Sequence, residues 1–414
     1  MKIGAIARKL NIPVDNIYFY IKSGLIVPPK KGQYIFDENT VKDLETLVEL
    51  KEMEFPLKDI HRILSLLRVS RLEDQRDIDD LKILYAGQAQ RLEQRIGRLV
   101  TALDRLRAKE SELDVLTTEA PAPKGLPLST LALLCCPLCR GNLDLNEVRM
   151  SQDSIYSGRL TCLCGYAAAI EDGILLTPNR NQSLYDRPEI TRNLYKDLPS
   201  QLISMFQKSY NWMSERLIKT GTRGRVVLET YVNAWFFLHN HQHVLDRDCR
   251  LIVIDKFPET LKFFKQLIDR QKHGLDILYI ADSGLTPPLK FETVDINIDF
   301  FATNEHNFYH HTFWPDHLRP YLKPGAQLIG TYFYFDGGYK SINRLLREYP
   351  ESYRRNFNRK YFMESMDNHY QIKEVEDLGY ILDSGENLGF SFHVKGEKMH
   401  LMPYQASADL KRGH

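Results

Sequence analysis

Apolar positions along the chain set the first expectations. Ile3, Ile6, Ala7 and Leu10 recur at helical spacing, Asn11-Ile12-Pro13 breaks the run, and Val14, Ile17, Ile21 and Leu25 carry a second short helix closed by Gly24. Pro28 to Phe36 reads as a short extended stretch with a turn. Helices are predicted from Glu38 to Lys51 and from Leu57 to Arg68, the second with Ile60, Ile63, Leu64 and Leu67 inward. From Asp74 to Leu116 there is no proline, and Tyr85, Leu92, Leu99, Leu106 and Leu113 fall seven apart with Ala89, Ile96 and Leu103 between them. That is a heptad repeat, whose stripe must pack on something: a second copy or the rest of the chain. Pro121, Pro123 and Pro127 mark 117–130 as a semi-rigid linker.

Beyond residue 185 the pattern alternates. Strand runs are predicted at Arg225–Glu229, Leu251–Asp255, Leu275–Ile280, Val294–Phe301 and Ala326–Phe333, with helices such as Glu259–Arg270 and Trp314–Tyr321 between them. Such alternation predicts a parallel, doubly wound α/β sheet with its ligand at the carboxyl ends of the strands. The fold class is therefore multidomain. The predicted units are a helix-turn-helix with wing (1–71), a dimerisation helix (74–116), the linker (117–130), a small cysteine module (131–180) and an α/β domain (185–405).

Charge changes the picture of the first unit. The whole chain sums to +1 over 414 residues, yet up to Phe36 six Lys and Arg face one acid, Asp15. A basic head on a neutral body is the footprint of phosphate binding. In a helix-turn-helix the second helix enters the major groove, which makes Asp15, Asn16, Tyr18, Phe19 and Lys22 the candidate contacts. Lys30, Lys31 and Tyr34 belong to the wing. The competing reading is a helix-turn-helix kept for protein contacts. No apolar run approaches the roughly 18–20 residues that span a bilayer, so no membrane partner is expected. Six cysteines are too few and too clustered for a disulfide scaffold, so a reducing cytoplasm is expected.

Cys136-Pro-Leu-Cys139 and Cys162-Leu-Cys164-Gly165 are two knuckles of paired thiols. Four thiolates suit a tetrahedral structural Zn²⁺ and leave no open position for catalysis; the alternative is a redox pair. The second knuckle is CxC, and Cys135 is a spare thiol. So short a segment would draw its folding energy from the metal.

The stretches "IGAIARKLNI", "VDNIYFYIKSGLI" and "KKGQYIFDENTVKDLETLVELKEMEFPLKDIHRIL" resemble the winged-helix domain of MerR-family transcriptional regulators. The resemblance implies promoter DNA as partner, a homodimer through the long helix, and RNA polymerase as the machine acted on. The family's arginines are replaced here by Asp15 and Tyr18 in the recognition helix and by Tyr34 in the wing, while Tyr20 matches the family's aromatic pair, and the resemblance adds it to the candidate DNA contacts. "CPLCRGNLDL" and "EDGILLTP" are similar to the Trm112-like zinc ribbon.

The acids ending the first three α/β strands, Glu229, Asp255 and Asp282, together with "LRPYLKPGAQLIG", resemble class I S-adenosylmethionine-dependent methyltransferases. There the second acid holds the ribose and the third lies near the adenine amine. That family needs glycines in its first loop, where this chain has Glu229-Thr-Tyr231-Val-Asn-Ala-Trp235. S-adenosylmethionine is accordingly not expected as a working cofactor. The expectation is a ligand pocket built from Glu229, Tyr231, Trp235, Asp255 and Asp282, taking an apolar or cationic effector, since 36 of 45 aromatic residues lie in 185–414. The rival is a methyltransferase with a DNA-targeting head. His239 and His243 form a further candidate metal pair, and the basic stretch 337–370 (with Lys340, Arg344, Arg347, Arg354, Arg355, Arg359 and Lys360) is a candidate lid over the pocket, with an interdomain contact or an extra nucleic-acid surface as the alternatives.

Overall fold

The computed structural model describes residues 1–70, 72–116, 124–180, 187–190, 198–233, 235–271, 274–337, 339–350, 352, 355–385 and 392–408. The chain divides into two compact units, Met1–Glu119 and Ala120–His414.

The first unit opens with α1 (Ile3–Lys9) and α2 (Val14–Lys22), joined by a tight turn in which Asn11 takes φ +50°. A two-residue-per-strand hairpin, β1 (Lys30–Lys31) and β2 (Gln33–Tyr34), turns at Gly32 with φ +70° and forms the wing. Asp37 caps α3 (Glu38–Glu52) by accepting the Thr40 N–H at 2.9 Å, and α4 (Leu57–Val69) follows. Ile6, Ile17, Leu25, Phe36, Leu44, Ile60 and Ile63 close one core.

The last helix, α5 (Gln75–Leu116), has 42 residues and so extends about 63 Å. Its first half is seated. Tyr85 meets Phe55 edge to face at 5.3 Å, Gln88 donates to the Met53 carbonyl at 2.8 Å, and Arg91 pairs with Asp59 at 2.9 Å. Its second half is not, since Ile96, Leu99, Val100, Leu103, Leu106 and Leu113 are 45–68% exposed.

The second unit begins with β3 (Leu126–Pro127), a 3₁₀ turn at Leu128–Leu133, β4 (Asp144–Ser151), β5 (Ser154–Thr161), β6 (Ala167–Glu171) and β7 (Ile174–Leu176). It continues with α6 (Ser200–Thr220), β8 (Val226–Thr230), α7 (Phe237–His241), β9 (Arg250–Asp255), α8 (Pro258–Asp269), β10 (Asp276–Ala281), β11 (Val294–Phe300), α9 (Ala302–Tyr309) and α10 (Trp314–Leu318). Then come β12 (Leu322–Asp336), α11 (Tyr339–Glu348), α12 (Arg359–Asp367), β13 (Gln371–Val375), β14 (Tyr380–Ile381) and β15 (Lys398–Ser407).

From β10 the sheet runs β10-β9-β8-β11-β12-β15-β13. The first five strands are parallel, and β15 lies antiparallel between β12 and β13. This is the doubly wound, methyltransferase-like order, with its reversal between β8 and β11. Alternate residues explain why the strands read as continuous apolar runs. Val227, Leu251 and Val253 face one core with Phe206, Leu261 and Phe264; Val226, Leu228, Ile252 and Ile254 face the other with Trp314, Leu318, Phe362 and Met366.

Three expectations change. Residues 124–130 are not linker: Leu126 is fully buried and pairs with Ile155 (117–123 lie outside the described residues). The cysteine module is not a separate body either, because β7 joins β10 in parallel and Leu133, Leu160 and Tyr166 share a core with Leu278 and Leu289. Its folding free energy thus includes apolar burial and a shared sheet edge, not metal alone. Finally, α12 buries Phe362 and Met366 completely, which makes it part of the core and not a lid. Arg354 lies outside the described residues. Among the described residues, no helix is long and apolar enough to cross a membrane.

Candidate functional site

Three places carry the residues singled out above. On the first unit, α2 exposes Asp15, Asn16, Tyr18, Phe19 and Lys22 along one side. The Tyr18 and Tyr34 rings meet edge to face at 6.2 Å, and Lys30 Nζ stands 5.6 Å from the Tyr34 ring centre. Recognition helix and wing therefore present one continuous face of aromatic rings with basic ends. Tyr20 does not join it: the ring is 9% exposed and packs into the core beside Ile17 and Leu25. The side chain of Lys31 lies outside the described residues.

The second place is the cysteine cluster. The sulfurs of Cys136, Cys139, Cys162 and Cys164 all lie within 4.8 Å of one another, with Cys136–Cys164 and Cys139–Cys162 both at 3.4 Å. A tetrahedron of roughly 2.3 Å Zn–S bonds sets its sulfurs about 3.8 Å apart, so four thiolates in this arrangement can hold a metal ion. Cys135 does not substitute: it is 4% exposed and its thiol reaches the Leu289 carbonyl at 3.3 Å. Arg140 fastens the knuckle to the body by donating to that same carbonyl at 2.7 Å, its guanidinium 3.6 Å from the Phe291 ring centre. His239 and His243 form no such group. Helix α7 ends at His241, and the His239 ring packs 5.3 Å from Phe264.

The third place is the switch-point cleft. Tyr231, Asp255 and Asp282 line it with Thr230, Lys256, Ser283 and Gly284, and the space between them takes no water-sized sphere. Each expected ligand contact is used internally. Asp255 accepts the Asn233 N–H at 2.9 Å and the Phe257 N–H at 3.0 Å. Asp282 accepts the Thr177 hydroxyl at 2.6 Å and the Gly284 N–H at 2.7 Å. Burial pushes Asp255 up to about 7 and Asp282 up to about 6 against those bonds. The Tyr231 hydroxyl reaches His306 Nδ1 at 2.8 Å.

Glu229 and Trp235 are elsewhere. Glu229 caps α7, accepting the Phe237 and Leu238 N–H groups at 2.7 and 3.0 Å, and burial pushes it up to about 8. Trp235 packs on Phe206 at 4.6 Å in the opposite core. With the first loop filled by a tyrosine and both acids engaged, these residues do not fit S-adenosylmethionine.

Lys256 in the cleft has no individual signal in the sequence, and His306 behind it has one only as a histidine after the fourth strand. Lys256 is 4% exposed, 3.4 Å from Glu305 and 4.3 Å from the Tyr309 ring centre; burial lowers its pKa and Glu305 counters that. His306 is fully buried, and burial first, then His310, His317 and Lys256, hold its pKa well below 6.5.

Residues 1–67 match the family described as MerR HTH family regulatory protein, so this segment is a MerR-type helix-turn-helix domain. Over 74 residues the chain is 32% identical to the HTH-type transcriptional regulator ZntR homolog of Haemophilus influenzae, an alignment covering 17% of this chain and 55% of that protein. The chain thus spans about half the length of the curated relative it matches. Among solved structures it is similar to the MccD protein (TM-score 0.38, 10% identity, 48% of this chain and 96% of that one). It is also similar to geranyl diphosphate methyltransferase in complex with SAM (0.36, 11%, 47% and 84%). A third is N-methyltransferase NodS of Bradyrhizobium japonicum with S-adenosyl-L-homocysteine (0.35, 14%, 53% and 95%). The strand order β10-β9-β8-β11-β12 by itself makes the second unit a doubly wound sheet.

Proposed function

We propose that the chain is a DNA-binding transcriptional regulator whose methyltransferase-like second unit senses a ligand instead of catalysing. The observation that carries the first half is the face made by α2 and the wing, with Asn16, Tyr18, Lys22, Lys30 and Tyr34 presented together on a MerR-type domain. The exposed heptad stripe of α5 supports a homodimer, which would read two half-sites related by a two-fold axis. RNA polymerase is the partner implied at the promoter, and the four cysteines hold a structural Zn²⁺.

The sensing half is supported by the closed cleft. An enzyme that binds S-adenosylmethionine needs room at the switch point, and here Tyr231 takes that room. The effector class in this reading is small and apolar or cationic.

Fluorescence anisotropy with the full chain and the DNA upstream of its own gene tests the proposal. Specific binding is expected, and Lys22→Ala and Lys30→Ala should each lower the salt slope by about one. No preference over random DNA at any salt would overturn it. Calorimetry with S-adenosylmethionine tests the rival: a Kd below about 100 μM would restore an enzyme.

A further inference from the structure

The cleft at the carboxyl ends of β8, β9 and β10 is filled by the chain itself, in a specific way. Tyr231 takes φ +56°, which a glycine adopts freely and a tyrosine seldom does. Its ring is 6% exposed and stands perpendicular to Trp314 with centres 4.9 Å apart. Lys256 Nζ is 5.5 Å from the ring centre. The hydroxyl reaches His306 Nδ1 at 2.8 Å and the Ser283 carbonyl at 3.3 Å.

The wall is fitted to this arrangement. Gly284 has φ +83°, and a Cβ there would fall 2.9 Å from Trp314 Cη2. His306 Nε2 lies 3.0 Å from Thr312 Oγ1, which lies 2.8 Å from His317 Nε2. A neutral His306 can donate from Nε2 to Thr312 and so keep Nδ1 as an acceptor for a phenolic O–H. An aromatic edge, a cation near the ring and an acceptor at the para position together recognise a phenol.

We infer that this is a phenol-recognising subsite with Tyr231 as its built-in occupant, so that a ligand of the second unit enters by displacing the Tyr231 side chain and placing a hydroxylated aromatic ring where it lay. The backbone at residue 231 is held by the Tyr231 N–H donating to the Ile254 carbonyl at 3.0 Å, so the side chain can leave while the loop stays in place. The subsite rests on the sensing half of the proposed function, and its test involves no DNA.

The test is chemical rescue in the full chain. Tyr231→Gly keeps a residue suited to the positive φ and leaves a tyrosine-shaped hole. Its melting temperature should fall by about 10 °C, and millimolar p-cresol should restore most of the loss. Toluene, which lacks the hydroxyl, should restore less. Wild type and Tyr231→Phe, whose own rings hold the site, should need at least about tenfold more p-cresol for the same shift.

Equal responses of all three chains to p-cresol would overturn the inference, as would rescue by toluene as good as by p-cresol. If Tyr231→Gly does not fold alone, the reading is its refolding yield with p-cresol against toluene, and no recovery with either also overturns it. Saturable stabilisation of wild type by S-adenosylmethionine would show that the cleft is a working cofactor site, and would overturn it too. Loss of DNA binding would bear only on the first unit.

Discussion

The Tyr231 hydroxyl lies 2.8 Å from Nδ1 of His306, joining the loop after the first α/β strand to a helix 75 residues later. His306 is neutral in the fold because burial, and then His310, His317 and Lys256, hold its pKa well below 6.5. The unfolded chain therefore binds a proton that the folded chain refuses. Stability from this residue is complete above pH 6.5 and is lost as the pH falls below it. His306→Gln should flatten the decline in urea midpoint between pH 6.5 and 5. Parallel declines in variant and wild type would remove His306 as its source.

Glu229 works in the opposite direction. Burial raises its folded pKa to about 8 from 4.5, despite two backbone N–H bonds. The folded chain holds the proton where the unfolded chain has released it. Its contribution is complete below pH 4.5 and is lost as the pH rises toward 8. Glu229→Gln keeps an acceptor for the Phe237 N–H and carries no titration. Its urea midpoint should change less than that of wild type between pH 5 and 8, and an equal change would assign the effect to other groups.

Gly284→Ala tests how tightly the cleft is closed. The new Cβ would meet Trp314 at 2.9 Å on a backbone with φ +83°. Steric overlap in a packed core and a left-handed backbone each destabilise, together by about 2–4 kcal/mol. Urea unfolding measures it, and a loss under about 0.5 kcal/mol would mean that the wall yields.

The sequence was legible where periodicity is strong and local. All five parallel strands fall within a few residues of their predicted bounds, because burial on both faces leaves long apolar runs such as Leu251–Ile254. The two cysteine knuckles were legible because ligand chemistry fixes residue type and spacing. What failed was pairing between distant segments. Nothing local shows that Ile174–Leu176 extends the parallel sheet beside β10, or that Thr177 bonds Asp282. The missing glycines predicted a filled loop, yet not its partners, since His306 and Trp314 come from two helices far along the chain. Tyr20 was misplaced because the resemblance matched its residue type to an aromatic pair, whereas it lies three residues from Ile17 on the same buried side of α2.

Metal removal should show that the cysteine module and the large sheet are one structure. Cys136 is fully buried and its knuckle is tied to Leu289 through Arg140. Cys136→Ser should reduce bound zinc from about one equivalent per chain to a small fraction and lower the stability of the whole second unit by at least about 2 kcal/mol. A thiol-reactive dye and zinc release read the metal, and urea unfolding reads the sheet. Zinc loss with unchanged unfolding would mean that the shared core alone holds the module.

The exposed stripe of α5 gives the last prediction. Leu99 and Leu106 are 60% and 68% exposed, one heptad apart, on the half of the helix beyond its seat on Phe55 and Met53. Apolar side chains repeated this way on a helix of 42 residues are stable in water when a second copy covers them. Leu99→Lys removes apolar area at each of two symmetric positions and puts a charge into each half of the seam. Dimer affinity should weaken by at least about a hundredfold, close to 3 kcal/mol. Any loss of helical content should be confined to the half of α5 that the partner covered, because the first half stays seated on Phe55 and Met53. Sedimentation at micromolar concentration checks the first outcome and circular dichroism the second. DNA affinity should fall in step, since two half-sites held by separate monomers lose the gain of a linked pair. A variant that remains dimeric would place the subunit contact away from this stripe.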